Sequence, residues 1–217
     1  MGEKGVGKPY QLYGRSAWGS AIVETQLAWY GLPYETHDVE NLLKSEAARV
    51  ELAKVNPLAQ VPALILPDGT LMTESAAITL LLADGKGARS LVPEEGEPTR
   101  AAFLRWLVFI VANIYPTFTY VDIPSRFVPD AAAQKGFVET VDAYRNRLWA
   151  MVEGEAKAPW FLGERFSALD LYINVMTKWT PRRPWFITHC PRLTAIAQKA
   201  QALPELASAW QRNSAMD

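Results

Sequence analysis

The sequence predicts an α/β domain over residues 1–84, an interdomain linker over 85–98 and an all-helical domain over 99–217. Three observations carry that expectation. The first third alternates short β-prone runs with helical patterns, the stretch from Asp84 to Pro98 turns to Gly, Pro, Lys and Glu, and the apolar periodicity after Thr99 is helical almost throughout. A chain of 217 residues with 49% apolar content can fill two modest cores.

In order along the chain, Pro9 to Tyr13 is β-prone, Gly14 to Ser20 is a turn rich in Gly and Ser, and Ile22, Val23, Leu27 and Trp29 mark a helix that Gly31-Leu32-Pro33 stops. Tyr34 to Val39 reads as a strand and Ser45 to Lys54 as a helix ended by Asn56-Pro57. Ala63 to Leu66 and Thr70 to Met72 flank the hairpin signal Asp68-Gly69, and Glu74 to Ala83 returns to helix. The unit is therefore β-α-β-α followed by β-β-α. Beyond the Gly/Pro-rich connection, which reads as exposed, helices are expected near 99–115, 131–153, 168–179 and 191–213.

Several function classes lose support. Twenty-two Lys and Arg against 23 Asp and Glu leave a net charge of −1, with no electrostatic footprint for nucleic acid or an acidic membrane. Met1 to Lys8 lacks a secretory apolar stretch, and the apolar run Trp106 to Ala112 is too short to span a bilayer. The lone cysteine, Cys190, fits a reducing, cytoplasmic setting and reads as a small buried hydrophobe; it rules out a Cys-x-x-Cys pair. His37 and His189 are too isolated to be metal ligands, so no metal is expected.

The segment Asn56-Pro57-Leu58-Ala59-Gln60-Val61-Pro62-Ala63-Leu64, then Asp68-Gly69 and Thr73-Glu74-Ser75-Ala76-Ala77-Ile78, is similar to the glutathione-site signature of the cytosolic glutathione transferases. Phe161-Leu162-Gly163-Glu164 with Ser167-Ala168-Leu169-Asp170 resembles that family's helix-capping element, and Gly31-Leu32-Pro33-Tyr34-Glu35 its exit from the first helix. The resemblance spans the chain and is strongest before residue 84. It implies a thioredoxin-like α/β N-terminal domain, an all-α C-terminal domain, glutathione as co-substrate, a hydrophobic electrophile as second substrate, a detoxification role in the cytoplasm and a homodimer.

Physical chemistry supports the implied binding residues Gln60, Val61, Pro62, Glu74 and Ser75. A cis Val61-Pro62 bond would turn the Val61 backbone outward to pair with a peptide-like ligand. Glu74 and Ser75 lie where a strand gives way to a helix, so Ser75 can receive a carboxylate at the positive helix end while Glu74 takes an ammonium group. Ser75 as a plain N-cap is the structural alternative. Ser167-x-x-Asp170 is a capping pattern, with Phe166 and Leu171 as its hydrophobic staple.

Catalysis in such enzymes requires the glutathione thiolate, and lowering a thiol pKa by about two units takes roughly 2.7 kcal/mol, within reach of one hydrogen bond plus a helix N-terminus. Ser16 is the first candidate donor. Arg15-Ser16 resembles the pair in serine-type members when aligned from the strand, whereas counting back from Gly31 puts Ala17 at that place and Ser20 near the helix start, as the rival activator and expected N-cap. Tyr13 reads as strand core. The electrophile pocket is expected among the aromatics that open the helical domain, with Phe109, Tyr115 and Tyr120 as its wall. A non-catalytic glutathione-binding or interaction module of the same fold is the alternative.

Overall fold

The computed structural model describes residues 8–214. They form two compact units, one running up to Arg89 and resuming at Pro204, the other being Ser90–Leu203. The division falls inside the expected linker, but two features depart from expectation. Ser90, Leu91 and Val92 are buried, not exposed. Arg165 Nη2 donates to the Ser90 and Val92 carbonyls, each at 3.1 Å, and the Ala168 N–H donates to the Leu91 carbonyl at 2.9 Å, so this stretch is packing material of the helical unit. In addition, the residues from Pro204 onward group with the α/β unit, whereas the sequence pattern assigns them to the helices.

The α/β unit has a thioredoxin-like β-α-β start. β1 (Tyr10–Gly14) pairs in parallel with β2 (Tyr34–Asp38) and antiparallel with β3 (Ala63–Ile65), and β4 (Leu71–Met72) completes the order β2-β1-β3-β4. α1 (Ser20–Tyr30) supplies the crossover that a parallel pair needs, α2 (Glu46–Ala53) follows β2 and α3 (Ser75–Ala83) follows β4. Leu12, Val23, Leu27, Leu64, Ile78 and Leu82 form the core.

α1 carries no one-sided apolar stripe, and every residue from Ser20 to Leu27 is buried. A helix of that kind must be covered on more than one side. The sheet and α3 cover part of it, with Gln26 Nε2 donating to Thr79 Oγ1 at 2.9 Å. The returning segment covers more: a 3₁₀ turn at Pro204–Leu206 and a short helix at Ala207–Arg212 lie against α1 and bury Leu206, Ala209 and Trp210. α1 ends at Gly31, whose φ of 63° is the left-handed conformation that glycine adopts without a Cβ penalty.

The helical unit contains α4 (Arg100–Phe109), α5 (Tyr115–Asp122), α6 (Ala131–Glu155), α7 (Ala168–Met176), α8 (Arg183–His189) and α9 (Pro191–Gln201); the short helix Ala207–Arg212 of the other unit is α10. α4 and α5 are joined by a π turn, Ile110–Ile114, so the first helix continues to 122 rather than stopping near 115. Pro116 explains the turn, because it has no N–H to donate and its ring crowds the carbonyl four residues back; a widened turn just ahead of it relieves both. The continuous Arg100–Asp122 stretch is long and apolar enough, by length and composition alone, to cross a bilayer, which the seven-residue run Trp106–Ala112 is not. A core helix meets the same test, and this one buries Phe103, Trp106, Leu107, Ile110 and Ile114. The expected helix over 191–213 is broken at Ala202-Leu203 ahead of Pro204.

α7 is buried along its whole length and begins with the expected capping box. Asp170 Oδ2 accepts the Ser167 N–H at 2.7 Å and Oδ1 accepts the Phe161 N–H at 2.8 Å. Burial pushes the Asp170 carboxyl up to about 6 although these bonds pull it down.

Candidate active site

The sheet register gathers three loops. Tyr13 pairs with Ala63 and Leu64 with Met72, so the residues leaving β1, those entering β3 and those leaving β4 all lie at one end of the sheet. These are Arg15–Gly19, Gln60–Pro62 and Thr73–Ser75. The five expected binding residues and Ser16 belong to them, and Ser20 follows the first loop as the first residue of α1.

The Val61-Pro62 bond is cis. The β3 ladder starts at Ala63, and among the described residues nothing pairs with the Val61 N–H or carbonyl. The loop before it is held from inside by Asn56, a buried side chain whose Nδ2 donates to the Gln60 carbonyl at 2.8 Å while its Oδ1 accepts the Leu58 N–H at 3.2 Å. Gln60 therefore has its carbonyl occupied, whereas Val61 presents a free backbone edge.

At the neighbouring loop, Glu74 is exposed and has φ 59° and ψ 101°, a conformation costing on the order of 1–3 kcal/mol for a residue with a side chain. Glu74 occupies the N-cap position of α3 without a side-chain cap bond, and Ser75 is the first helical residue, so Ser75 is not the N-cap. It is mostly buried at the helix end whose free amides attract anions.

The loop after β1 is built on a close approach. A Cβ on Gly14 would lie 2.4 Å from both Cβ and Oγ of Ser20, so only glycine lets the strand end and the helix start meet. Ser20 Oγ accepts the Arg15 N–H and donates to the Arg15 carbonyl, both at 3.0 Å. Ser20 is the first residue of α1 and Gly19 is its N-cap, so the expected capping role is not filled. Ser20 is 3% exposed and closes the loop. Ser16 is half-buried, and its hydroxyl donates to the Arg212 carbonyl at 2.9 Å. Tyr13 stacks on His37, ring centroids 4.5 Å apart, within the sheet.

Arg212 and its neighbour bring a network that sequence reasoning missed. Glu24, on α1, is 2% exposed; Arg212 Nε donates to it at 2.7 Å, Asn213 Nδ2 at 2.8 Å and the Tyr34 hydroxyl at 3.3 Å. A carboxylate so buried requires such partners. Asn213 turns its other face to the loop, its Oδ1 accepting the Ala17 N–H at 2.9 Å. Arg212 Nη2 also reaches Asp38 at 3.3 Å. Burial first, and Glu24 second, push the Tyr34 hydroxyl up to about 12. Burial pulls the Arg212 guanidinium down, but Glu24 and Asp38 outweigh it and its pKa is raised. One signal was present in the sequence: an acidic residue at position 24 inside the apolar pattern of α1.

In the helical unit, Phe109 meets Trp106 edge-on with centroids 4.9 Å apart, Tyr115 meets Trp179 at 5.3 Å, and Tyr120, on the exposed side, meets Phe127 at 5.1 Å. Phe109 and Tyr115 are half-buried. Cys190 is fully buried, and burial, with Glu153, pushes its thiol up to about 12, which removes it as a nucleophile.

Comparison with known proteins identifies the architecture. Over 204 residues, 94% of this chain and 98% of the relative, the sequence is 38% identical to YncG, an uncharacterized GST-like protein of Escherichia coli K12. The chain belongs to the glutathione S-transferase family. This transferase-family chain is also 30% identical to glutathione S-transferase GstA of Escherichia coli O157:H7 over 158 residues, 71% of this chain and 74% of GstA. Residues 20–84 match the family description "Glutathione S-transferase, N-terminal domain". Among solved structures, a glutathione transferase homologue from Sulfitobacter with bound glutathione superposes with a TM-score of 0.82 at 24% identity, covering 94% of this chain and 98% of that one, which establishes the shared transferase fold.

Proposed function

We propose that this protein binds glutathione at the β1, β3 and β4 loop cluster and transfers its thiolate to a hydrophobic electrophile in the cytoplasm, where glutathione is the abundant thiol. What carries the reading is the convergence of a free backbone edge at Val61, a helix start at Glu74-Ser75 and the α1 start at one end of one sheet. Val61 would pair with the cysteinyl unit, Ser75 and the α3 amides would take the γ-glutamyl carboxylate, and Glu74 the ammonium. Glutathione bound to the Sulfitobacter homologue supports the choice of ligand. Ser16 is the proposed thiol donor: its hydroxyl would leave the Arg212 carbonyl for the sulfur, because an anionic acceptor forms the stronger bond. Ser20 would stay with Arg15 and hold the loop closed. Phe109, Tyr115 and Tyr120 are proposed contacts for the electrophile, and a homodimer is the proposed assembly, to be checked by sedimentation at micromolar concentration.

Calorimetry with glutathione tests the ligand: Glu74→Ala with Ser75→Ala should abolish measurable binding, and unchanged affinity would remove the proposed site. Thiolate absorbance against pH, in the parent and in Ser16→Ala, tests the donor. The Ser16 variant should titrate higher and turn over an aryl halide about ten-fold to a hundred-fold more slowly at neutral pH, with binding little changed.

A second reading rests on one observation: both candidate hydroxyls already donate their protons to backbone carbonyls. If bound glutathione in the parent titrates like the free thiol, near 8.5, the chain is a binding module without chemistry.

A further inference from the structure

The loop carrying Ser16 is closed at its ends by Ser20 on Arg15, but local bonds do less to hold its middle. Ala17 has φ +63°, a left-handed conformation that disfavours a residue with a Cβ, and inside the Ser20–Arg15 closure the Trp18 N–H donates to the Arg15 carbonyl at 3.1 Å. Two adjacent bonds to the returning segment fix it instead: Ser16 Oγ to the Arg212 carbonyl and the Ala17 N–H to Asn213 Oδ1.

The orientation of the Asn213 amide is not arbitrary. Its Nδ2 donates to Glu24 Oε2 and to the Ala209 carbonyl, both at 2.8 Å, and these are acceptors only. Oδ1 must then face the Ala17 N–H. The buried Glu24 carboxylate therefore sets the Asn213 amide, and the amide sets the loop.

We infer that Asn213, oriented by Glu24, is the positioning residue of the thiol-activating loop, and that the returning segment thereby governs how strongly bound glutathione is ionised. The inference rests on the proposed function. The Asn213 amide is taken up by Ala17, Glu24 and Ala209, so it acts through Ala17, keeping the Ser16 hydroxyl aligned; misplacement by about 1 Å at such a site can cost roughly a hundred-fold in rate. The charged groups around the loop are Arg15, Glu24, Asp38 and Arg212, and none of them changes in the key variant.

The experiment measures thiolate absorbance of bound glutathione against pH, glutathione affinity by calorimetry, and kcat and KM with an aryl halide. Asn213→Ala should raise the bound thiol's titration midpoint by about one unit and lower kcat at neutral pH about ten-fold, with glutathione affinity within about three-fold of the parent. Asn213→Asp should be worse, because it faces a carboxylate with a carboxylate. Combining it with Glu24→Gln exchanges donor and acceptor across the Glu24 contact, though the Ala209 carbonyl still loses its donor, and should recover midpoint and kcat in part relative to Asn213→Asp. A merely structural role would weaken folding without this pattern, and the exchange variant decides the matter if either single variant does not fold. Variants that bind glutathione and titrate as the parent does, or an exchange variant that folds without recovering the midpoint, would overturn the inference alone. A parent that shows no glutathione-dependent thiolate would overturn the proposed function and this inference with it.

Discussion

Two helix starts in this protein solve the same problem in opposite ways. At α7 the solution is local: Asp170, three residues past Ser167, accepts the Ser167 and Phe161 amides, and the helix start is sealed and buried. At α1 the N-cap, Gly19, has no side chain to contribute, the preceding loop is closed by Ser20 on Arg15, and the next tie comes from Asn213. A sealed start serves stability. The α1 start instead turns its Ala21 and Ile22 amides back on the Trp18 and Gly19 carbonyls and takes its loop scaffolding from elsewhere.

The comparison can be broken most severely at Gly14. Gly14→Ala should cost about 3 kcal/mol or more by denaturant unfolding and abolish glutathione binding, since the new Cβ displaces Ser20 from a fully packed position. A folded variant of parental stability would show that the close approach is dispensable. Asp170→Ala comes next: removing an acceptor that serves two buried amides should cost about 2–3 kcal/mol, with no change in the titration of bound glutathione. If the thiol midpoint moves, α7 is not merely structural.

Ser20→Ala should cost about 1–2 kcal/mol through the two lost Arg15 bonds. A smaller loss accompanied by a raised thiol midpoint would transfer the donor role from Ser16 to Ser20. The mildest effect concerns pH. Asp170 titrates near 6 when folded, above its ordinary value of 3.8, so the folded state binds the proton more tightly. Its contribution to stability is full below about pH 4 and is lost as pH rises through 6. Relative to Asp170→Asn, the parent should therefore lose thermal stability between pH 4 and 6; a flat difference would mean that the hydrogen bonds offset burial, and a gain with pH that they outweigh it.

The parts legible in the sequence were those whose determinants are close together in the chain. β1 to α3 follow from alternation, the Gly31-Leu32-Pro33 stop and the Asp68-Gly69 hairpin, and Ser167-x-x-Asp170 declares its own cap. The π turn was not legible, because Pro116 reads as an end when a helix is considered alone, whereas packing of Phe103, Ile110 and Ile114 keeps it going. The buried Leu91 and Val92 were hidden by Gly and Pro on either side. The Arg212-Asn213 scaffold was least accessible: its bonds to Ser16 and Ala17 each span 196 residues, and no spacing rule reaches that far. Glu24 alone hinted at it, as a charge in a helix with no solvent side.

That span has a consequence in time. A ribosome adding about 5–20 residues per second completes Ser16 and Ala17 on the order of ten to forty seconds before it makes the residues that hold them. Through that interval the nascent sheet can pair and α1 can pack on α3, yet Glu24 waits uncovered and the loop stays unset. The loop is thus among the last parts of this chain to be finished, although it is made well before the segment that sets it.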